Sequence, residues 1–189
     1  KKPGDIFLIN TSRLVYQKGI DAIVRALPML PDTVKLVLNK PGPDDAMLRK
    51  LAAELGVSDR LIIVPDVGRN DGALYRRVSD IYVAPSRSEG LGIAFISALA
   101  SRLPLVATQV GGMADYVYDE KHNPDKAPTA WVVDPDAPEQ IAEQVKNILA
   151  NPEKAKKISE DARSMVEERY DWDKIALQMR TRVFGPVIG

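Results

Sequence analysis

The sequence predicts an α/β fold with a doubly wound parallel sheet of about six strands and helices on both faces. Apolar runs of strand length alternate with segments whose apolar residues recur at helical spacing, which is typical of βαβ units and a parallel sheet. Turns rich in glycine and polar residues follow directly after several predicted strands. Because sheets of this class bind ligands beyond the carboxyl ends of their strands, the same pattern indicates where a ligand would bind.

Six apolar runs are predicted to be strands because each has strand length and is bounded by turn-forming residues. The clearest boundary is Asn39-Lys40-Pro41-Gly42-Pro43, which closes the second run. The predicted strands are Ile6–Asn10, Val34–Leu38, Leu61–Val64, Ile81–Ala84, Leu105–Thr108 and Ala130–Val133.

Helices are predicted between and after these strands. In Gly19–Leu30 the residues Ile20, Ile23, Val24 and Leu27 have the spacing of one helix face. Further helices are predicted from a cap at Asp44 or Asp45 through Leu55, over Asp71–Val78 and over Gly92–Ser101. After Pro138 the chain is predicted to be mostly helical, with one helix that starts at Pro138, another that starts at Asn151-Pro152-Glu153 and a last one over Trp172–Phe184.

The composition excludes several classes of function. The 189 residues contain 26 Lys and Arg against 26 Asp and Glu, so no overall field draws the chain to nucleic acid or anionic lipid, and any phosphate site must be local. There is no cysteine, which excludes disulfides and thiolate metal sites. The single histidine, His122, lies in a polar loop and cannot make a histidine-based metal site alone. Trp131 and Trp172 are expected to be packing residues.

The run from Pro85 to Gly112 carries the clearest signs of a ligand site. After a predicted strand come Glu89, Gly90 and Gly92, then an apolar helix, a second buried strand and Gly111-Gly112. Glycines let the backbone approach a ligand closely, and the free N–H groups of a helix N-terminus favour an anion. A carboxylate at the same turn can accept hydrogen bonds from sugar hydroxyls. The run is therefore suited to a ligand with a diphosphate and hydroxyls.

The loop leaving the first predicted strand supplies two cations, Arg13 and Lys18. A guanidinium can fork two phosphate oxygens, and an ammonium adds a point charge. Cations at a helix start are electrostatically misplaced without an anion, which favours phosphate binding over two solvated surface charges. With a diphosphate leaving group, they would stabilise the negative charge that develops on it.

Together these motifs resemble those of a known family. The run Pro-Ser-Arg-Ser-Glu-Gly-Leu-Gly at 85–92, the strand at 105–108, the double glycine at 111–112 and Arg-Leu…Lys-Gly at 13–19 resemble the donor-sugar motifs of family four (group 1) of the retaining, nucleotide-sugar-dependent GT-B glycosyltransferases. The resemblance covers nearly the whole chain and is to the C-terminal, Rossmann-like half. The important departure from the pattern is Ser97, which stands where the family carries a second glutamate that usually accepts from the ribose hydroxyls.

The resemblance implies roles for the motif residues. Arg13 and Lys18 would bind the donor diphosphate and Glu89 the donor sugar, and these three are the predicted catalytic residues. Asp115 would cap a short helix after the double glycine. The predicted nucleotide-sugar-binding residues are Val67 and Gly68, which correspond to a base-contacting backbone segment, and Gly90, Leu91, Gly92, Ile93, Ser97, Gly111 and Gly112.

The resemblance also implies an activity. We expect residues 1–189, with the helices from about 138, to form a single nucleotide-sugar-binding domain cut from an enzyme whose N-terminal half binds the acceptor. That enzyme would transfer a hexose from a UDP or GDP sugar to a hydroxyl of a carbohydrate or lipid-linked acceptor, with retention of configuration and without a metal or other cofactor.

Alone, the domain is expected to bind nucleotide weakly and to be inactive. The sequence contains neither a signal peptide nor an apolar run approaching the roughly 20 residues of a membrane span. We therefore expect a cytoplasmic parent enzyme, or one at the inner face of a membrane. The alternative is a catalytically decayed nucleotide- or sugar-binding module in which Ser97 marks the lost activity. A sugar-nucleotide epimerase lacks support, because no acid and base residues for that chemistry stand out.

Overall fold

The computed structural model describes residues 1–64 and 71–185. Its six strands are β1 (Ile6–Asn10), β2 (Val34–Leu38), β3 (Leu61–Ile63), β4 (Ile81–Ala84), β5 (Leu105–Ala107) and β6 (Trp131–Val132). They form one sheet in the order β3-β2-β1-β4-β5-β6, and every pair is parallel. The strand order reverses between β1 and β4, which is the topological switch point of such a sheet. The predicted doubly wound, Rossmann-like fold is confirmed.

Seven helices connect or follow the strands in the described chain. They are α1 (Ile20–Ala26), α2 (Asp45–Glu54), α3 (Asp71–Arg77), α4 (Ile93–Ala100), α5 (Pro138–Ala150), α6 (Pro152–Arg169) and α7 (Trp172–Met179), the last continued by a π-helical turn over Arg180–Phe184. Short 3-10 turns lie at Tyr16–Lys18, Leu27–Met29, Ser58–Arg60 and Gly111–Asp115.

Two hydrophobic clusters cover the two faces of the sheet because successive residues of a strand point to opposite sides. In β1, Leu8 belongs to the cluster with α1, α2 and α5, whereas Ile9 belongs to the cluster with α4. The helix α6 contributes to both, through Ile158 on one side and Ala162 on the other. Helices on both faces are therefore confirmed, and the loops at the carboxyl edge contribute Leu14 to one cluster and Met113 to the other.

The observed elements end slightly earlier than the sequence predicts. The helix predicted over Gly19–Leu30 ends at Ala26 and tightens into the 3-10 turn Leu27–Met29, because Pro28 has no amide to continue the helix. Asp44 lies at the N-cap position of α2, but its side chain makes no capping hydrogen bond. Asp45 instead pairs with Arg49 one turn later.

Two predictions about individual residues are wrong. Trp131 is buried as expected, but Trp172 is 75% exposed, and no residue of α7 is buried. Asp115 does not cap a following helix; it is the last residue of the 3-10 turn Gly111–Asp115, and its carbonyl accepts the hydroxyl of Tyr118. Among the described residues, no helix is both long and apolar enough to cross a membrane.

Candidate functional site

The loops that follow β1 and β4 meet at the switch point, backbone against backbone. The amide of Arg87 donates to the carbonyl of Gln17 at 2.8 Å. Gly19 has a φ of +63°, and a Cβ there would lie 2.1 Å from the carbonyl oxygen of Pro85. Only glycine allows both the left-handed conformation and this approach. The Lys18-Gly19 motif is thereby explained, since it packs the cation-bearing loop against the loop that bears Glu89.

Lys18 and Glu89 form an ion pair across these two loops, with Lys18 Nζ donating to Glu89 Oε2. The side chains are only 21% and 12% exposed, and Lys18 Nζ also lies 5.8 Å from the centre of the Phe95 ring. Glu89 Oε1 accepts the amide of Gly90 at 3.2 Å. Removing two charges from water offsets much of the attraction between them, so this pair is better explained as a preformed site than as a source of stability.

Arg13 lies in the same loop but is not part of the ion pair. Its side chain is exposed, and within residues 1–64 and 71–185 no hydrogen bond or ion pair is found for it. The chain around it is fixed by Leu14, which is fully buried and whose amide and carbonyl bond to Pro41 and Asp44. The structure therefore leaves Arg13 as an available cation on an ordered loop.

The turn from Glu89 to Gly92 rests on the double glycine that follows β5. A Cβ at Gly111, which has a φ of +55°, would lie 1.9 Å from the carbonyl oxygen of Glu89, and one at Gly112 would lie 2.3 Å from that of Gly90. The amide of Gly112 also donates to the Gly90 carbonyl at 2.7 Å. The double glycine is thus a platform under the site.

Two buried tyrosines hold the same loops from below. The hydroxyl of Tyr116 donates to the carbonyl of Leu91 at 2.7 Å, and that of Tyr82 contacts the amide and the hydroxyl of Thr11 at 3.0 and 2.8 Å. Burial, and then the charge of Glu89, raises the pKa of Tyr116 above its usual range. Burial likewise raises the pKa of Tyr82. Both phenols are therefore neutral and fix backbone, Tyr116 as a donor to the Leu91 carbonyl and Tyr82 as an acceptor of the Thr11 amide. Their apolar sequence context did not reveal this role.

Arg87 is the cation of the Pro85–Gly92 run that the sequence did not single out. Its guanidinium donates to Asp136 Oδ1 at 2.7 Å, to the carbonyl of Tyr16 at 2.5 Å and to Asp21 Oδ2 at 2.8 Å. The ring of Tyr16 stacks on it at 4.1 Å. Pairing with Asp21, followed by that with Asp136, raises the pKa of Arg87 above its usual range despite partial burial. Its position two residues before Glu89 is the sequence signal that could have indicated it.

Ser97 lies on α4, one turn after Ile93, and its hydroxyl donates to the Ile93 carbonyl at 2.9 Å. The side chain is half-buried, whereas Leu91 and Ile93 are exposed apolar residues at the start of the helix. The first amides of a helix have no acceptor within it, so those of Ile93 and Ala94 are open to a ligand. The hydroxyl hydrogen of Ser97 is therefore already used in a hydrogen bond to the backbone.

Two buried polar side chains near the carboxyl ends of strands lack a hydrogen-bond partner among the described residues. They are the amide of Asn39, directly after β2, and the hydroxyl of Ser86, after β4. Such groups are rare in folded proteins because each forfeits its hydrogen bonds to water. This edge of the sheet therefore carries a cost in stability that the two clusters do not.

Most of the predicted site residues come together at this edge. The contacts above join Lys18, Glu89, Gly90, Gly111 and Gly112, with Leu91, Gly92, Ile93 and Ser97 next along the chain. Arg13 shares the loop of Lys18. Val67 and Gly68 lie outside the described residues. In the part of the chain that the structure describes, no three His, Asp or Glu side chains are grouped as metal ligands.

The chain is similar in sequence to known glycosyltransferases. The family model for glycosyl transferases group 1 matches residues 1–165. A GDP-mannose-dependent alpha-(1-6)-phosphatidylinositol monomannoside mannosyltransferase of Mycobacterium tuberculosis is 32% identical over 182 residues, which cover 91% of this chain and 46% of that protein. The chain thus spans about half the length of the curated relatives it matches first.

Two solved structures share the fold. Sucrose-phosphate synthase from Thermosynechococcus elongatus has a TM-score of 0.85 at 27% identity, over 97% of this chain and 46% of that one. Anabaena HepE in complex with UDP-glucose has a TM-score of 0.86 at 20% identity, over 96% and 49% of the two chains. The switch-point site thus lies in a chain whose sequence and fold match the same class of enzyme, and the chain belongs to the group 1 glycosyltransferases, with the Rossmann-like sheet of a GT-B enzyme.

Proposed function

We propose that this chain binds the nucleoside diphosphate sugar donor of a retaining glycosyltransferase. The observation that carries the proposal is the half-buried Lys18–Glu89 pair at the β1/β4 switch point. A cation and a carboxylate held together match the two ends of such a donor, a diphosphate and a sugar with hydroxyls. The switch point is also where sheets of this topology bind their ligands.

Lys18 and Arg13 are the groups that would bind the diphosphate. An ammonium has three N–H donors, so Lys18 can keep Glu89 and still donate to phosphate oxygens. Arg13 is exposed on the same loop and can fork two phosphate oxygens. As the sugar–phosphate bond breaks, both cations stabilise the charge that develops on the leaving diphosphate. Because they would neutralise that charge, the proposed reaction needs no metal cofactor.

Glu89 would orient the donor sugar. A carboxylate has about four acceptor positions, and the bonds from Lys18 and Gly90 leave others for sugar hydroxyls. Its orientation is fixed by these bonds before the donor arrives, which lowers the cost of ordering the complex. We assign Glu89 to positioning of the sugar and not to attack on it.

The rest of the enzyme would be a second half that binds the acceptor. The chain covers 46% of the mycobacterial relative, which leaves room for such a half, and the acceptor would be a carbohydrate or a lipid-linked sugar. We further propose that the present chain is the C-terminal half, that alone it binds nucleotide weakly and transfers nothing, and that the enzyme acts in the cytoplasm or at the inner face of a membrane.

A catalytically decayed binding module is the second candidate, and Ser97 is the observation that favours it. Its hydroxyl is bonded to the Ile93 carbonyl and is poorly placed to replace a carboxylate. The two candidates differ in turnover. Joined to the N-terminal half of the mycobacterial mannosyltransferase, the chain should transfer or hydrolyse a sugar nucleotide if it is an enzyme. Nucleotide binding without turnover would favour the module.

A calorimetric titration with UDP, GDP and ADP tests the donor site. We expect one nucleotide to bind saturably, and Arg13→Ala to weaken its affinity about tenfold or more through the loss of a charge-assisted contact. Arg163→Ala is the matched control, since Arg163 pairs with Glu167 on the surface of α6, away from the switch point. Equal affinity in Arg13→Ala, or no binding of any nucleotide at millimolar concentration, would contradict the proposal.

A further inference from the structure

A cluster of charged residues adjoins the proposed donor site without belonging to it. Arg87 is at its centre, with a side chain that is only 12% exposed. It joins three segments that are distant in sequence: the 3-10 turn Tyr16–Lys18, the first turn of α1 and the loop between β6 and α5. The first two segments follow β1 and the third follows β6, all at the carboxyl edge of the sheet, and Arg87 itself lies in the loop after β4.

The contacts of Arg87 surround Lys18 on both sides in sequence. The guanidinium donates to the carbonyl of Tyr16, two residues before Lys18, and to the carboxylate of Asp21, three residues after it. The backbone amide of Arg87 donates to the carbonyl of Gln17. With its neighbours held at these points, the backbone of Lys18 has little freedom to move away from Glu89, which itself follows Arg87 by two residues.

Arg87 is unsuited to bind a phosphate itself. Two carboxylates, Asp21 and Asp136, face its single charge, so an anion there would meet a net negative site. Its Nε, Nη1 and Nη2 atoms already donate, and the Tyr16 ring covers one face. The geometry is that of a clamp between loops.

We propose that Arg87 is a positioning residue that holds Lys18 against Glu89 for the donor, an inference that rests on the proposed function for its consequence. The planar fork is essential to this role because it reaches three acceptors at once. A lysine keeps the charge but not the fork, so Arg87→Lys is the informative substitution. Asp136→Asn weakens the clamp at the more exposed partner of Arg87. Because it leaves Arg87 in place, it provides a second test if the Arg87→Lys variant fails to fold.

Hydrogen exchange tests the clamp in the ligand-free chain. The amides of Lys18, Gly19 and Arg87 donate to backbone carbonyls within or between the two loops. In Arg87→Lys and in Asp136→Asn we expect them to exchange about tenfold faster, because local opening becomes easier, while the amides of β2 keep their protection. Unchanged exchange at the loop amides would overturn the proposal, and so would a uniform loss of protection across the sheet.

A double-mutant cycle tests whether Arg87 acts through Lys18. With the nucleotide that binds the wild type, Arg87→Lys should weaken affinity about tenfold, but should have little further effect when Lys18 is already alanine. Additive losses would show that Arg87 acts independently of Lys18, which contradicts positioning. If the wild type binds none of the nucleotides, the proposed function fails, and the exchange experiment alone decides whether Arg87 fixes Lys18.

Discussion

The switch-point loops and the C-terminal helix α7 both lie at the surface, yet they are held in different ways. The loops after β1, β4 and β5 approach one another within hydrogen-bond distance of their backbones and are joined by half-buried ion pairs. In α7 no residue is buried, and Leu177 is 60% exposed. Its fixed points are the Asp171 cap, which accepts from two amides, and a bond from Lys174 to the carbonyl of Glu167.

The difference teaches that exposure alone does not measure how firmly a segment is placed. Besides buried apolar residues such as Leu14 and Met113, the order of the loops at the switch point depends on glycines, tyrosine hydroxyls and Arg87. A change of one atom at such a point should have a large effect. In α7, where side chains meet solvent, comparable changes should be nearly silent.

Gly111→Ala should have the largest effect. The new Cβ would meet the Glu89 carbonyl oxygen at 1.9 Å and adopt a φ of +55°, so we expect the free energy of unfolding to fall by about 3–5 kcal/mol and nucleotide binding to be lost. Gly56→Ala is the control, with a φ of +70° but open space around its Cβ, and should cost only about 1–2 kcal/mol. Urea denaturation measures both. Equal losses would mean that the platform under Glu89 is not required.

Asn39→Leu should raise stability. The buried amide of Asn39 has no partner among the described residues, so an apolar side chain of similar shape removes its desolvation cost, and we expect a gain of about 1–3 kcal/mol in the free energy of unfolding. The measurement is again urea denaturation. A loss of stability would show that the Asn39 amide has hydrogen-bond partners in solution and does not destabilise this edge of the sheet.

Ser97→Glu should tighten nucleotide binding about tenfold by supplying a charge-assisted acceptor on α4. Ser101→Glu places the same charge one helical turn farther along and should leave the affinity unchanged. Calorimetry with the nucleotide that the wild type binds compares the two. If Ser97→Glu shows no gain, Ser97 does not face the ribose, and the second candidate function loses its main support.

Leu177→Ala should have the smallest effect, below about 0.5 kcal/mol in the free energy of unfolding. Leu99→Ala is the buried counterpart in α4, with no exposed surface, and should cost about 2–5 kcal/mol. Thermal and urea denaturation of the two variants compares their losses in the free energy of unfolding. A large loss in Leu177→Ala would mean that α7 packs on the rest of the chain in solution.

The fold was predictable because its signals are local and repeated. Each strand is an apolar run between turn residues, and the helices between strands show a periodic apolar face, so the layers could be assigned from spacing alone. The ends of elements were less predictable. Pro28 shortens α1, and β5 ends at Ala107, one residue before the predicted Thr108, which no pattern of hydropathy encodes.

The site residues were predictable where they belong to a sequence motif, but not where contacts between distant segments determine their role. Lys18, Glu89 and the double glycine were found in the sequence and meet in space. Arg87 was missed because its partners, Asp21 and Asp136, are 66 and 49 residues away. Trp172 was misjudged for a different reason, since a large aromatic residue favours burial on average, but among the described residues its surface stays 75% exposed.

NMR can locate a bound nucleotide and so tests directly whether it binds at the switch point. A ¹⁵N-labelled sample would be titrated with UDP and with GDP while amide shifts are followed. We expect the largest changes on residues 11–19, 86–93 and 109–112, around the Lys18–Glu89 pair. Changes centred on the groove of about 640 Å³ lined by Tyr118, Lys126 and Arg169, or no changes at millimolar nucleotide, would contradict this expectation.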